Sequence, residues 1–222
     1  QYQNLMYMTA GYLVGRLTDS SWEEQLHKRI LEPLGMASTS CCLAGLESSF
    51  SAEPHERVRG RIARVPYRCL DAVAPAGAIN SSVSDMLRWL RFHLAGGVVD
   101  GKRLISKRAL GLMYAPQMSV GDGGEDADFH LESYGLGWTV ISYRGRRLVT
   151  HSGGIDGYRC RAVLLPDDGL AGVVLTNSAT SLPNALTYEA IDRLLGLDPR
   201  PWSRRFKATE KRDRQATQNR RR

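Results

Sequence analysis

Large apolar residues recur at positions 5, 6, 8, 12, 13 and 17, a spacing that predicts a helix over 5–17 with one broad buried face. Asn4, just before it, is an N-cap by residue type. Ser20 and Ser21 stand three residues before Glu23 and Glu24, giving two overlapping capping-box registers. The helix they open carries Trp22, Leu26 and Ile30 at a spacing of four and is closed by Pro33 and Gly35. Between 37 and 74 periodicity fails, with a short strand near 61–65, and a connection of that length often borders a binding site. After a turn-rich passage over 75–82, Ser82 with Asp85 caps an amphipathic helix carrying Val83, Met86, Leu87, Leu90 and Leu94, which Gly96-Gly97 ends. Ser106 caps a shorter helix through Tyr114, stopped by Pro116.

The period then changes from helical to extended. Strands are predicted over 134–143, 146–150, 158–165 and 170–176, with Arg144-Gly145 and Asp167-Asp168-Gly169 as hairpin turns. This is an antiparallel meander, and a last helix over 182–195 can bury one of its faces. Helices first and sheet last make an α+β arrangement without internal repeats.

Composition alters this picture little until the charge is located. The chain has a formal net charge of +7, but from Arg204 to Arg222 there are nine basic residues against Glu210 and Asp213, a surplus of 9 − 2 = +7. The remainder balances at 21 basic and 21 acidic residues, which removes the argument for a nucleic-acid-binding face. The basic tail over 203–222 has little apolar content and reads as a disordered linker. Cys41, Cys42, Cys69 and Cys160 form no Cys-x-x-Cys pair, so neither a structural metal nor a disulfide framework is expected. The acidic run over 121–128 lacks the alternating ligands of a calcium loop and reads as a solvated loop. No apolar run approaches the roughly 18 residues of a membrane span.

The candidate chemistry centres on His151-Ser152-Gly153-Gly154, where a strand pattern meets paired glycines. Such glycines let a ligand approach the main chain, and the Gly154 N–H can face a developing oxyanion. The same pair can equally be a turn between two strands, and His151 a satisfied sheet histidine.

Several motifs occur in order: Tyr2-x-Asn4 opening a helix, Pro-Ala-Gly-x-Ile-x-Ser-Ser-x-x-Asp-Met-x-x-Trp-Leu from Pro75 to Leu90, Gly-Leu-Gly-Trp from Gly135 to Trp138, the His-x-Gly-Gly at His151, and Leu-Thr-Asn from Leu175 to Asn177. Together they resemble the serine β-lactamase-like superfamily, which includes class C β-lactamases, penicillin-binding DD-peptidases, D-aminopeptidases and related esterases. The likeness runs from Tyr2 to about Trp202. It implies a β-lactamase/transpeptidase-like α+β fold, an antiparallel sheet with flanking helices plus a helical lobe, with 1–130 as the lobe and 131–202 as sheet and C-terminal helix.

By the same resemblance, Tyr2 is the phenol that moves protons to and from nucleophile and leaving group, and Asn4 hydrogen-bonds a substrate amide. His151, Ser152 and Gly153 stand for the third motif lining the cleft, with Ser152 and Gly153 contacting substrate. Gly154 gives half of an oxyanion hole. Without the resemblance Tyr2 is an exposed terminal residue and Asn4 a helix cap. The implied activity is a cofactor-free serine hydrolase acting through an acyl-enzyme on a small ester, amide or peptide. The alternative is a noncatalytic member that keeps the fold as a binding module.

Two departures qualify the likeness. The family nucleophile lies in a Ser-x-x-Lys motif upstream of the tyrosine, and no serine from Ser20 to Ser203 has a lysine three residues later. The chain therefore reads as N-terminally truncated and unable alone to complete acyl transfer, with a bare helix face and an unpaired sheet edge, and with room for a further domain after the tail in a longer parent. Second, His151 stands where many β-lactamases carry lysine, and a mostly neutral imidazole holds a carboxylate less firmly, which favours the esterase and peptidase branches. Periplasmic or extracellular members are common in that group; the sequence leaves the compartment open.

Overall fold

Helix α1, Leu5–Thr18, opens the computed structural model, which describes residues 2–42, 51–121 and 127–220. The helix forms as its periodicity requires, but its apolar face does not bury: Gly11 is its buried residue, while Leu5 and Leu17 are 64% and 76% exposed. Gly11 is there because α1 crosses Pro75 so closely that any Cβ would meet the proline ring. Asp19 in left-handed geometry (φ 48°) ends the helix.

Of the two capping registers, Ser21 with Glu24 forms: the Ser21 hydroxyl accepts the Glu24 N–H at 3.1 Å and the Glu24 carboxylate accepts the Ser21 N–H at 3.1 Å. Helix α2, Trp22–Leu26, widens into a π-helical turn over His27–Leu31 and finishes as α3, Glu32–Leu34, with left-handed Gly35 (φ 63°) as cap. Pro33 therefore sits within the last turn. Leu26, Leu31, Leu34 and Met36 bury against Phe92, with Trp22, Ile30 and Trp89 around them.

The passage expected to be irregular contains a hairpin, β1 (His55–Val58) with β2 (Arg61–Arg64), turned by Arg59 and Gly60 at positive φ. A short helix α4, Ala74–Gly77, replaces part of the turn-rich stretch. Helix α5, Val83–Leu94, is capped by Ser82, whose hydroxyl accepts the Asp85 N–H at 3.2 Å. The Asp85 carboxylate is buried and turns instead to the Ser38 N–H and the Thr39 hydroxyl, both at 2.8 Å, so only half of the expected capping box forms. Then come the small hairpin β3 (Val98–Val99) and β4 (Lys102–Arg103), and α6, Lys107–Tyr114.

The meander has more strands than its pattern shows: β5 (Met118–Gly121), β6 (Phe129–Tyr134), β7 (Thr139–Tyr143), β8 (Arg146–Ile155), β9 (Tyr158–Leu165) and β10 (Leu170–Thr176), in the order β10-β9-β8-β7-β6-β5. The stretch expected as one strand over 134–143 is broken at Gly135 to Trp138, where the Gly135 N–H donates to the Trp138 carbonyl at 2.7 Å and Gly137 has φ 79°. Of the acidic run, residues 122–126 lie outside the described residues, and Asp128 is buried, 3.6 Å from Arg144, rather than solvated.

Helix α7, Leu182–Leu194, follows, and then α8, Trp202–Arg220, where a disordered tail was expected. The cause is a tertiary anchor: Trp202 is 1% exposed and donates from its indole N–H to Asp192 at 2.7 Å, Tyr188 stacks on Phe206, and Glu210 accepts from the Ser181 hydroxyl at 2.8 Å. The chain forms two compact units: Gln1–Ser51, Arg68–His151 and Leu164–Ala171 in the first, and Ala52–Tyr67, Ser152–Val163 and Gly172–Arg222 in the second. Strands β8, β9 and β10 each contribute residues to both units.

Candidate active site

In the first unit, strand pairing prepares the place where the separated motifs meet. Tyr134 pairs with Thr139, and Thr139 with Thr150, so the last residue of β6 shares a row with the residue before His151. The Tyr134 hydroxyl lies 3.0 Å from His151 Nε2. Tyr7, on the first turn of α1, donates its hydroxyl to the Tyr134 oxygen at 3.3 Å. Tyr2 approaches from the segment before α1, its ring 5.8 Å from that of Tyr134 in an edge-on arrangement and 6.3 Å from the His151 imidazole.

The result is three phenols around one imidazole. Tyr2 is 59% exposed, whereas Tyr7, Tyr134 and His151 are half-buried, so the cluster has one face toward solvent. Burial pushes the Tyr134 phenol well above its usual range. Tyr134 is thus a hydroxyl at any pH the fold meets, able to donate and to accept. Among the described residues no three His, Cys, Asp or Glu side chains gather to hold a metal ion.

Asn4 occupies the N-cap position of α1 but in helical geometry, and its carboxamide makes no cap hydrogen bond; its carbonyl accepts the Met8 N–H at 3.1 Å. The side chain is exposed, so the capping explanation for an asparagine here does not hold. Ser152, Gly153 and Gly154 continue β8 into the second unit, and the turn reading of the paired glycines fails. Both glycines are extended, and the chain reverses later, at Asp156 and Gly157 (φ 75°). Gly153 is required by packing, since a Cβ there would stand 2.5 Å from the Cys160 sulfur. Ser152 and Gly154 are exposed.

Tyr2 and His151, 149 positions apart, are therefore brought together, and two tyrosines not singled out from the sequence complete the cluster. The signal for Tyr134 was its place directly before Gly-Leu-Gly-Trp, and that for Tyr7 its place one helical turn after Asn4.

A family model described as beta-lactamase matches residues 1–196. An unguisins hydrolase from Aspergillus campestris is 27% identical over 233 residues, covering 99% of this chain and 42% of that protein. Penicillin-binding protein 4 from Amycolatopsis lactamdurans is 26% identical over 213 residues, covering 88% and 52%. Among solved structures, the octameric penicillin-binding protein homologue from Pyrococcus abyssi superimposes with a TM-score of 0.77 at 26% identity, over 89% of this chain and 43% of that one. The chain thus spans about half the length of the relatives it matches.

Proposed function

The chain belongs to the beta-lactamase family, and from that premise we propose that it forms the Tyr-x-Asn and His-x-Gly part of a serine hydrolase that cleaves a small ester, amide or peptide through an acyl-enzyme. The observation that carries this reading is the meeting of Tyr2, Tyr134 and His151 in one half-exposed cluster. A phenol beside a hydrogen-bonded imidazole can pass a proton to a leaving group, as an amide nitrogen requires once a nucleophile has attacked. Asn4, with its carboxamide outside the cap, serves a substrate amide, and Ser152 and Gly153 line the acyl group. Gly154 gives its N–H to the oxyanion that forms as the carbonyl becomes tetrahedral. An imidazole at position 151, where many β-lactamases carry lysine, favours neutral acyl and amide groups over carboxylates.

The 222 residues contain no Ser-x-x-Lys pair, and on this reading the nucleophile lies in other polypeptide. Two preparations test this with a fluorophosphonate probe and p-nitrophenyl esters. The 222 residues alone are expected to show neither labelling nor a burst. A polypeptide joining them to a Ser-x-x-Lys segment of a relative is expected to be labelled at that serine and to turn over esters, and Tyr2→Phe to lower its kcat about 100-fold or more. Labelling of the 222 residues alone would overturn the assignment of the nucleophile elsewhere. A well-folded joined chain that is never labelled would favour a noncatalytic binding module.

A further inference from the structure

The end of the β1–β2 hairpin takes no part in the chemistry above. Its six residues, Arg57-Val58-Arg59-Gly60-Arg61-Ile62, hold three arginines and no acidic residue, and all six are exposed. We propose that this tip docks the protein on the surface of an anionic phospholipid bilayer, with the guanidinium groups on the lipid phosphates and Val58 and Ile62 in the headgroup layer.

The turn carries its charge at a conformational cost. Arg59 (φ 49°) and Gly60 (φ 85°) are the two central residues of the loop that pairs Val58 with Arg61. Positive φ at both places suits Asn, Asp or Gly at the first, not a long side chain such as arginine. The chain has a second turn of this kind, Arg144-Gly145, with φ 48° and 80°. There the cation is used inside the fold, since Arg144 lies 3.6 Å from buried Asp128. Arg59 and Arg61 have no such use: among the described residues neither makes an ion pair or a side-chain hydrogen bond. The two carboxylates of the segment are engaged at its base, Glu53 at 3.0 Å from Arg64 and Glu56 accepting the Gly157 N–H at 2.9 Å.

That base is firmly seated, so the tip is presented in a fixed form. Pro54 is buried, a Cβ on Gly157 would stand 2.4 Å from it, and the His55 N–H donates to the Gly157 and Asn177 carbonyls at 3.3 and 3.1 Å. A Cβ on Gly60, by contrast, would meet nothing within 4 Å. Docking therefore has little order to create.

The aliphatic side chains decide the kind of partner. The register sets Arg57 opposite Ile62 and Val58 opposite Arg61, so each face of the hairpin end shows one guanidinium beside one aliphatic group. Val58 and Ile62 are 45% and 57% exposed. A nucleic acid offers phosphates to the arginines but nothing to an aliphatic side chain, and the tip has no aromatic ring to stack on bases. A bilayer surface takes both, burying aliphatic groups at the acyl boundary while the arginine stems reach back to the phosphates.

The whole 222-residue chain is to be co-sedimented with vesicles of phosphatidylcholine containing phosphatidylglycerol and with vesicles of phosphatidylcholine alone, and titrated separately with single-stranded RNA. The parent chain is expected to bind the anionic vesicles, less tightly as salt rises, and to leave the neutral ones. Arg59→Asn with Arg61→Gln removes two charges and suits the turn, so the hairpin stays folded while binding weakens about 20-fold, at roughly fivefold per cation. Val58→Ser with Ile62→Ser is expected to weaken vesicle binding about tenfold and to leave RNA binding unchanged. The basic segment over 203–222 and the exposed face of α1 are the same in all three chains, so they contribute a common background and not the differences. A parent chain that ignores anionic vesicles overturns the proposal, and so do two double variants that bind them as the parent does. Vesicle binding kept by the aliphatic variant, with RNA binding lost by the charge variant, would assign the tip to a polyanion instead and equally overturn it. Ester turnover enters none of these readouts, so this docking surface and the hydrolase reading fail separately.

Discussion

A methyl group added at Gly153 would stand 2.5 Å from the sulfur of half-buried Cys160, so one of the two has to shift. Gly153→Ala is therefore expected to cost about 1–3 kcal/mol in urea unfolding, and the cost to shrink sharply in a Cys160→Ala background. A full loss that persists in the double variant would move the explanation from packing to the backbone. His93 gives a second residue-scale case. It is 4% exposed among Trp89, Phe92 and Trp138, its Nδ1 pairs with the Tyr114 hydroxyl, and its buried Nε2 has no hydrogen-bond partner among the described residues. Burial lowers its pKa from 6.5 to about 4, so the fold favours the neutral ring. A depressed histidine supplies stability that is fully present above pH 6.5 and is lost as the pH falls toward 4, by roughly 3 kcal/mol in all. The urea midpoint should fall across that window in the parent chain and fall less steeply in His93→Phe. These two side chains were opaque in the sequence, because what decides their behaviour is which atoms surround them. Tyr2 and His151 were legible because each lies in a motif; Tyr134 and Tyr7 act through contacts across 127 positions, which no local pattern records.

Elements show the same division between local and distant causes. The helices over 5–18, 83–94 and 107–114 and the strands from β7 onward follow from periodicity, capping serines and turn glycines, all short-range signals. Strand β1 was missed since four residues carry little pattern, and its hairpin gains support from the His55 N–H donating to the Asn177 carbonyl at 3.1 Å. Helix α8 was missed because its composition is that of a solvated chain. Its order comes from one end, where Trp202 and Phe206 at a spacing of four pack on Tyr188 and Arg205 lies 4.4 Å over the Trp202 ring. If that anchor is the cause, Trp202→Ala should cost about 3–5 kcal/mol locally and melt α8 while the sheet persists. Hydrogen exchange would then accelerate in amides of 203–212 and stay slow in β7 and β8. Slow exchange retained throughout α8 would show that the helix stands on its own charge pattern.

At the scale of the whole molecule, α1 is the element whose sequence and structure disagree most, and the disagreement has a measurable result. Its periodicity is that of a buried helix, yet Met6, Leu13 and Leu17, at spacings of seven and four, lie along one exposed stripe, with Leu5 and Tyr12 along the next. They are between 53% and 76% exposed, and together they form an apolar surface of the kind that proteins rarely leave to water unless another surface covers it. Net charge of +7 does little to offset this, because the surplus sits over 204–222 and the first helix carries only Arg16. The isolated 222 residues should therefore associate as concentration rises and bind a hydrophobic dye. The double substitution Leu13→Glu with Leu17→Glu should suppress both, since it places two like charges on the stripe while leaving Tyr2 and Tyr7 in place. Sedimentation velocity over a concentration series reads the first effect and dye fluorescence the second. A parent chain that stays monomeric and dye-free at every concentration would mean that the stripe is covered from within, and α1 would then have to sit differently against its neighbours, taking Tyr7 and its hydrogen bond to Tyr134 with it.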